Sequence, residues 1–217
     1  MNPSLKFILV FIISLEISIK ASLITNTIVI ACALFYLIIK RIKLKTLLLV
    51  LLIPFIAAFT VFATLYWFSD KPDHYYAWVL SSRIYVYILT ISCLVQTTTS
   101  TQLIRSFEQS LHLPSKFAYG VLAALNIIPE IKLSVKKIRT AALMRGIYLS
   151  FWSPMLYFKA ILAALISSEN LAQAMESHGY VEGKKRSVIK RISLTSIDWL
   201  KFVLILFLFN ICLFVFH

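Results

Sequence analysis

Residues 46–68 read TLLLVLLIPFIAAFTVFATLYWF, an uncharged and almost wholly apolar run. A helix rises about 1.5 Å per residue, so about 20 apolar residues cross the roughly 30 Å hydrocarbon core of a membrane. The run therefore predicts a membrane-spanning helix that can kink at Pro54. Composition points the same way, because 60% of the 217 residues are hydrophobic and the mean hydropathy is +0.86, above the level of soluble domains.

Apolar stretches on both sides of this run predict further spans, at residues 5–19, 21–39, 77–96 and 197–216. The sequence thus predicts an all-α integral membrane protein with about five transmembrane helices. Residues 1–96 would hold four of them and residues 197–217 the last. No small-residue cleavage site follows the first stretch, so we expect it to be retained rather than removed as a signal peptide.

The basic cluster KRIKLK at residues 40–45 orients the spans. Short loops rich in Lys and Arg stay in the cytoplasm. We therefore expect a multi-pass protein of the cell membrane with a cytoplasmic amino terminus and the polar 69–76 turn outside. The net charge of +13 sits mainly between apolar segments, so it indicates topology and contacts with anionic membrane lipids. The charge distribution does not favour nucleic acid as a partner.

The sequence pattern of residues 97–196 differs from that of the predicted spans. Its apolar stretches are shorter and amphipathic, and basic side chains are frequent. We predict a cytoplasmic region of long amphipathic helices. A first helix should begin near residue 100 after Thr and Ser caps, a second after Pro114, and a third at Pro129, since proline suits a first helical turn.

A phrase near the end of that third helix occurs again 33 positions later. Ala141 leads to Arg145-Gly146, and Ala174 leads to His178-Gly179. Each copy predicts a helix that ends on a basic side chain and is stopped by a glycine cap.

Helix termination alone could explain one copy of the phrase, because cations favour the carboxyl ends of helices. Two copies on consecutive helices favour a docking role. An apolar stripe leads to the first copy and ends at its arginine, which would suit a groove lined with acids. The stripe consists of Ile131, Val135, Ile138 and Ala142.

Catalytic patterns do not emerge from the sequence. The cysteines at 32, 93 and 212 are far apart, the histidines are scattered, and no phosphate-binding glycine loop occurs, so we expect no cofactor or metal. One alternative is a membrane-embedded enzyme acting on lipid or isoprenoid substrates, which would need clustered acids or histidines. Another is a channel or secondary carrier, which would favour inverted repeats. Neither pattern is found.

Two charges fall inside predicted spans, Glu16 in the first and Arg83 in the fourth. Charges inside a membrane are costly and usually face a partner. With the expected topology both lie at a similar depth near the outer surface, which predicts an ion pair tying the two spans together. The alternative is that Glu16 lies among the headgroups and Arg83 reaches outward to them.

Several stretches together resemble a known family. NPSLKF near the start, RIYVYILTISCLVQTTTSTQLIRSFEQSLHLP from the fourth span onward, and LNIIPEIKLSVKKIRTAALMRG before the first phrase follow one another in a characteristic order. With the repeated phrase, they resemble the transmembrane T component of energy-coupling factor (ECF) transporters, the CbiQ/EcfT family.

The resemblance implies a non-enzymatic scaffold. In that family two coupling helices cross in an X, and their Ala-Arg-Gly ends insert into two ATP-binding-cassette ATPase subunits, which hydrolyse the ATP. A small membrane S component binds the vitamin or metal ion that is taken up. The ATPase-binding residues would be Ala141, Arg145, Gly146, Ala174, His178 and Gly179.

The second phrase departs from the family pattern, which has arginine where this chain has His178. Histidine is shorter than arginine and is charged only in part at neutral pH. We therefore expect a second contact that is weaker or pH-sensitive, or one that uses Lys184, Lys185 or Arg186 instead.

Overall fold

The computed structural model of the protein describes residues 1–68, 74–150, 152–181, 184 and 191–215. Regular structure in these ranges is helical, without strands, which confirms the predicted all-α class. The helices are α1 (Pro3–Ile19), α2 (Leu23–Ile39), α3 (Leu44–Trp67), α4 (His74–Thr97), α5 (Ser100–Ser110), α6 (Ser115–Met144), α7 (Pro154–Ser177) and α8 (Ser196–Val215).

Local capping explains where several helices begin. The Asn2 side chain accepts a hydrogen bond from the Ser4 amide at 3.1 Å at the start of α1. At the start of α5, the Thr99 hydroxyl accepts from the Gln102 amide and the Gln102 side chain accepts from the Thr99 amide, both at 3.3 Å. This reciprocal capping box satisfies two amides that a helix start leaves unpaired, as the Thr/Ser-rich sequence before residue 100 predicted.

Within the described ranges, the helices long and apolar enough to cross a membrane are α3, α4, α6, α7 and α8. Their number, five, agrees with the prediction. The first two predicted spans form α1 and α2, which have 17 residues each, about 25 Å of helix and short for the hydrocarbon core. Conversely, α6 and α7 pass by length and composition, although the sequence placed them in a cytoplasmic region.

Pro129 does not start a separate helix. It lies inside α6, which runs unbroken from Ser115 to Met144, so the prediction of two helices between Pro114 and the first phrase was wrong. Proline removes one backbone hydrogen bond and can kink a helix without ending it. Pro54 lies inside α3 in the same way, as the sequence predicted.

The chain divides into two compact units, Met1–Ser106 with Ile192–His217, and Phe107–Arg191. The first unit therefore contains α1 to α4 and α8, and the second contains α6 and α7. In the second unit α6 and α7 pack against each other.

Within the first unit, α4 packs against α1, α2 and α3, and α1 also packs against α8. Val86 of α4 is fully buried with Ile17 of α1 and Phe209 of α8. Leu89, one turn further along α4, is fully buried against Leu37 of α2. Close packing of this kind, rather than exclusion from water, holds helices together in a membrane.

Many large apolar side chains on the outside of this unit remain exposed, as expected for surfaces that face lipid. On α3, Leu52, Phe55 and Ile56 are 60–69% exposed, whereas Ala58 is buried at 3%. The small Ala58 lets α4 approach closely enough for the Ser81 hydroxyl to donate to the Ala58 carbonyl at 3.1 Å.

Candidate functional site

The first repeated phrase forms the carboxyl end of α6. Arg145 is the C-cap residue, and Gly146 follows with φ +71°. The Gly146 amide donates to the Leu143 carbonyl, and the Ile147 amide donates to the Ala142 carbonyl, both at 3.0 Å. These two bonds define a Schellman motif, which satisfies carbonyls that the helix end would otherwise leave unpaired.

The second phrase builds the same motif at the end of α7. His178 is the C-cap residue and Gly179 has φ +82°. The Gly179 amide donates to the Glu176 carbonyl and the Tyr180 amide to the Met175 carbonyl, both at 2.9 Å. The prediction of two helices that each end on a basic residue and a glycine cap is therefore confirmed.

Both capping side chains are exposed, together with their helix ends. Arg145, Gly146, His178 and Gly179 are all in the exposed class, and Met144 beside Arg145 is 85% exposed. A cation at the carboxyl end of a helix meets the negative end of its dipole. Each end thus presents a basic side chain next to a glycine-capped backbone turn.

The apolar stripe of α6 does not lead outward as the sequence suggested. Its Ala142 is buried in a cluster with Leu149 and Leu156, and Val135 and Ile138 pack against that cluster. The chain after Gly146 folds back, so Leu149 and Leu156 cover the stripe. Arg145 and Met144 are exposed at this end, with Leu143, Ile147 and Tyr148 beside them. The stripe stabilises the helix pair instead.

The remaining predicted site residues lie around these ends. Ala141 and Ala174 are exposed one turn before the respective C-caps. Lys184, the first alternative anchor, is also exposed, whereas Lys185 and Arg186 lie outside the described residues. In the part of the chain that the structure describes, no three His, Cys, Asp or Glu side chains form a group that could hold a metal ion.

The predicted ion pair between Glu16 and Arg83 is not formed. The ion pair found among the described residues joins the Met1 amino group to Asp198 at 3.3 Å. The Glu16 carboxylate instead accepts from the Asn210 side-chain amide on α8 at 3.3 Å. Asparagine can satisfy a carboxylate inside a membrane without adding a charge.

Arg83 does tie the fourth span to the first, but through the backbone. One of its Nη atoms donates to the carbonyl of Lys20 at 3.2 Å, and Lys20 is the C-cap residue of α1. That carbonyl is an acceptor left unpaired by the helix and lies at the negative end of its dipole. A helix end thus takes the place of the carboxylate partner that the sequence suggested.

Sequence reasoning missed two polar contacts inside the first unit. The Lys20 ammonium donates to the Leu213 carbonyl of α8 at 3.2 Å. Asn26, only 1% exposed on α2, donates to the Ser82 hydroxyl on α4 at 2.9 Å. An amide within an otherwise apolar run is costly unless it finds a partner, and that signal could have identified Asn26.

Exchanging the two intramembrane charges should not restore stability. In Glu16→Arg the contact with Asn210 is lost, and in Arg83→Glu a carboxylate faces the Lys20 carbonyl. Because the two side chains have separate partners, their losses in the free energy of unfolding should add within about 0.5 kcal/mol. Thermal unfolding of the detergent-solubilised single and double variants measures this. Recovery of most of the loss in the double variant would show a direct pair.

Comparison with known proteins bears on the chain as a whole. A model of the CbiQ family, described as cobalt transport protein, matches residues 1–189. The chain is also 27% identical over 154 residues to the uncharacterized protein MG181 of Mycoplasma genitalium, an alignment that covers 64% of this chain and 36% of the relative. The chain therefore matches little more than a third of that relative's length.

The family match runs from the start of α1 through α6 and α7 and includes both glycine-capped ends. It therefore covers α1 to α7 together with the repeated phrase, and α8 lies beyond it. On this basis the chain belongs to the CbiQ cobalt transport protein family, and its apolar helices fit a multi-pass membrane protein.

Proposed function

We propose that this chain is the T component of an ECF-type importer, a membrane scaffold that passes the motion of two ATP-binding-cassette ATPases to a substrate-binding S component. The observation that carries the proposal is the pair of matching Schellman-capped ends, each with an exposed basic side chain, Arg145 on α6 and His178 on α7. Two equivalent ends suit two equivalent partner subunits. The cargo would be a vitamin or a metal ion bound by the S component.

Arg145 is the stronger of the two proposed anchors. A guanidinium can form two parallel hydrogen bonds to one carboxylate, which imidazole cannot. The exposed Met144 next to it adds apolar contact area. At His178 the contact has a shorter side chain that is charged in part at neutral pH. We therefore propose a weaker second contact, with Lys184 as the alternative anchor.

Charge distribution supports a cytoplasmic location for these ends. The loop after α2 exposes Lys40, Arg41 and Lys43, and the first turn of α3 exposes Lys45. A short basic segment of that kind stays inside. Placing it inside puts the amino terminus and residues 97–196 inside, and the 69–76 turn and the carboxyl terminus outside. Residues 97–196 would then lie in or along the cytoplasmic surface.

Although α6 is long enough to span a membrane, its second half carries Lys132, Lys136, Lys137 and Arg139 within two turns. Each cation at the centre of a membrane costs about 2.5–3.5 kcal/mol on insertion scales. This cost favours a position of the second half of α6 outside the hydrocarbon core. We propose that the carboxyl end of α7, which carries the second phrase, also lies outside the hydrocarbon core, because it contains Glu169 and Glu176.

A reconstituted complex tests the proposal. The tagged chain is co-expressed with candidate ATPases that carry Walker motifs and is purified in detergent, and mass spectrometry identifies what it retains. We expect two ATPase subunits per chain, with MgATP hydrolysis by the complex and none by the chain alone. A chain that retains no such ATPase, or that turns over ATP without one, would contradict the proposal.

A further inference from the structure

A buried polar cluster joins the start of α1 to α5. Asn2, Ser4 and Ser106 are 4%, 1% and 0% exposed. The Ser106 hydroxyl donates to the side-chain oxygen of Asn2 and accepts from the Ser4 amide, the latter at 3.1 Å. The Ser4 hydroxyl also donates to the Asn2 oxygen at 2.8 Å, so every polar side chain of the cluster has a partner within it.

The cluster satisfies an unpaired amide at the start of α1. The first amides of a helix lack partners within the helix and form the positive end of its dipole. Asn2 caps these amides in the usual way, from the residue before the helix. Ser106 supplies a second cap to the same Ser4 amide from 102 residues away. Breaking this contact inside a buried site would leave polar groups unsatisfied, which is costly.

A second contact holds the segment that leads to Ser106. One turn into α1, the Lys6 ammonium donates to the Thr97 hydroxyl at 3.2 Å, and Thr97 is the last residue of α4. Both ends of residues 97–106 are therefore attached to the first two turns of α1.

This attachment lies where the chain passes between its two units. The first unit ends at Ser106 and the second begins at Phe107, and this passage is inside α5. The chain passes back between Arg191 and Ile192, where residues 191–195 are not helical. The first passage is therefore continuous helix, through which a displacement can pass along the helix axis.

At its other end, α1 is tied to two further helices. The Lys20 carbonyl accepts from Arg83 of α4, and the Lys20 ammonium donates to the Leu213 carbonyl of α8. Force applied to the start of α1 would thus reach α4 and α8 at the far end of the helix.

We propose that α1 is the strut that carries movement of the ATPase-bound unit into the membrane helices, and that Ser106 and Asn2 are the positioning residues of its joint. This inference rests on the proposed function. It predicts that, when the hydrogen bond between Ser106 and Asn2 is removed, the complex still holds the ATPases and hydrolyses ATP. The membrane helices then no longer move in response.

The test measures an intramolecular distance in the complex with both ATPases. The cysteines at 32, 93 and 212 are replaced, and spin labels are placed at Ile19 of α1 and Leu52 of α3, which are 87% and 66% exposed. The label-to-label distance is compared between the nucleotide-free complex and the complex trapped with MgATP and vanadate.

With the parent chain we expect a shift in this distance on trapping. In Ser106→Ala the shift should be lost while ATPase capture and ATP hydrolysis persist. Asn2→Asp keeps an acceptor oxygen and should retain the shift, as should Ser100→Ala, an exposed position on the same helix. If the Ser106→Ala chain does not fold, Asn2→Ala removes the same hydrogen bond and takes its place.

A full shift in the joint variant would overturn the strut while leaving the proposed function standing. The strut is also overturned if the parent complex hydrolyses ATP without any shift between the labels. A parent chain that captures no ATPase overturns the proposed function and the strut together. Loss of ATP hydrolysis in Ser106→Ala but not in Ser100→Ala would assign the cluster to assembly instead.

Discussion

Arg145→Ala is expected to weaken capture of the ATPases about 30-fold, while the chain still inserts into the membrane. Arg145 is exposed at the end of α6 and has no part in the apolar cluster beneath it, so its removal should not disturb the helix pair. Loss of an arginine anchor from a protein interface often costs about 2 kcal/mol or more, which corresponds to roughly 30-fold in Kd. Titration of the detergent-solubilised chain with the ATPases measures this affinity.

Matched variants show whether Arg145 acts as a specific anchor or only adds positive charge to the helix. Lys137→Ala removes an exposed cation from the same helix and should change the affinity little. Arg145→Lys keeps the charge but cannot form two parallel hydrogen bonds to one carboxylate, so its affinity should fall between those of the parent and Arg145→Ala. His178→Ala should cost less than Arg145→Ala. Equal affinities for the parent and Arg145→Ala would exclude Arg145 as the anchor.

Local features of the sequence predicted most of the helix ends. The glycine caps follow from one residue type that accepts positive φ, and the start of α5 follows from a capping box of neighbouring residues. Both depend on interactions within a few positions of the chain. Such local interactions can be predicted from the sequence because the interacting residues are only a few positions apart.

Partners chosen by tertiary packing could not be predicted in the same way. The stripe of α6 reads as a free apolar face, but Leu149 and Leu156 cover it after the chain turns at Gly146. Likewise, Arg83 suggested a carboxylate partner, yet the acceptor is the backbone carbonyl of Lys20. A backbone carbonyl carries no sequence signature, so no pattern of residue types distinguishes this contact from an ion pair.

The partners of Ser106 could not be predicted from the sequence either, because they are distant along the chain. Serine near the middle of an amphipathic helix is ordinary in a sequence, and its partners Asn2 and Ser4 are more than 100 positions away. Their hydrogen bonds and shared burial, which only the structure reveals, show that they form one cluster. The membrane spans are affected too, because length and composition alone select α6 and α7 together with α3, α4 and α8.

Gly146→Val is expected to have the second large effect, by disordering the end of α6. Gly146 has φ +71°, a region that β-branched residues rarely enter. Nothing lies within 4 Å of a Cβ added at this position, so the cost is conformational and not a steric clash with another part of the protein. Such backbone strain costs about 1–3 kcal/mol. The chain can relieve it by giving up the Schellman bonds, and Arg145 then loses its defined direction.

A graded series at Gly146 should therefore follow backbone preference and not side-chain size. Gly146→Asn should retain most ATPase capture, because asparagine tolerates positive φ, whereas Gly146→Ala should be weaker and Gly146→Val weakest. Gly120→Ala is the matched control, since Gly120 lies within α6, also has open space around its Cβ, and does not share the positive φ. Alanine there should be neutral or slightly stabilising. If Gly146→Val captured the ATPases as well as Gly146→Asn, the rigid cap would have no part in presenting Arg145.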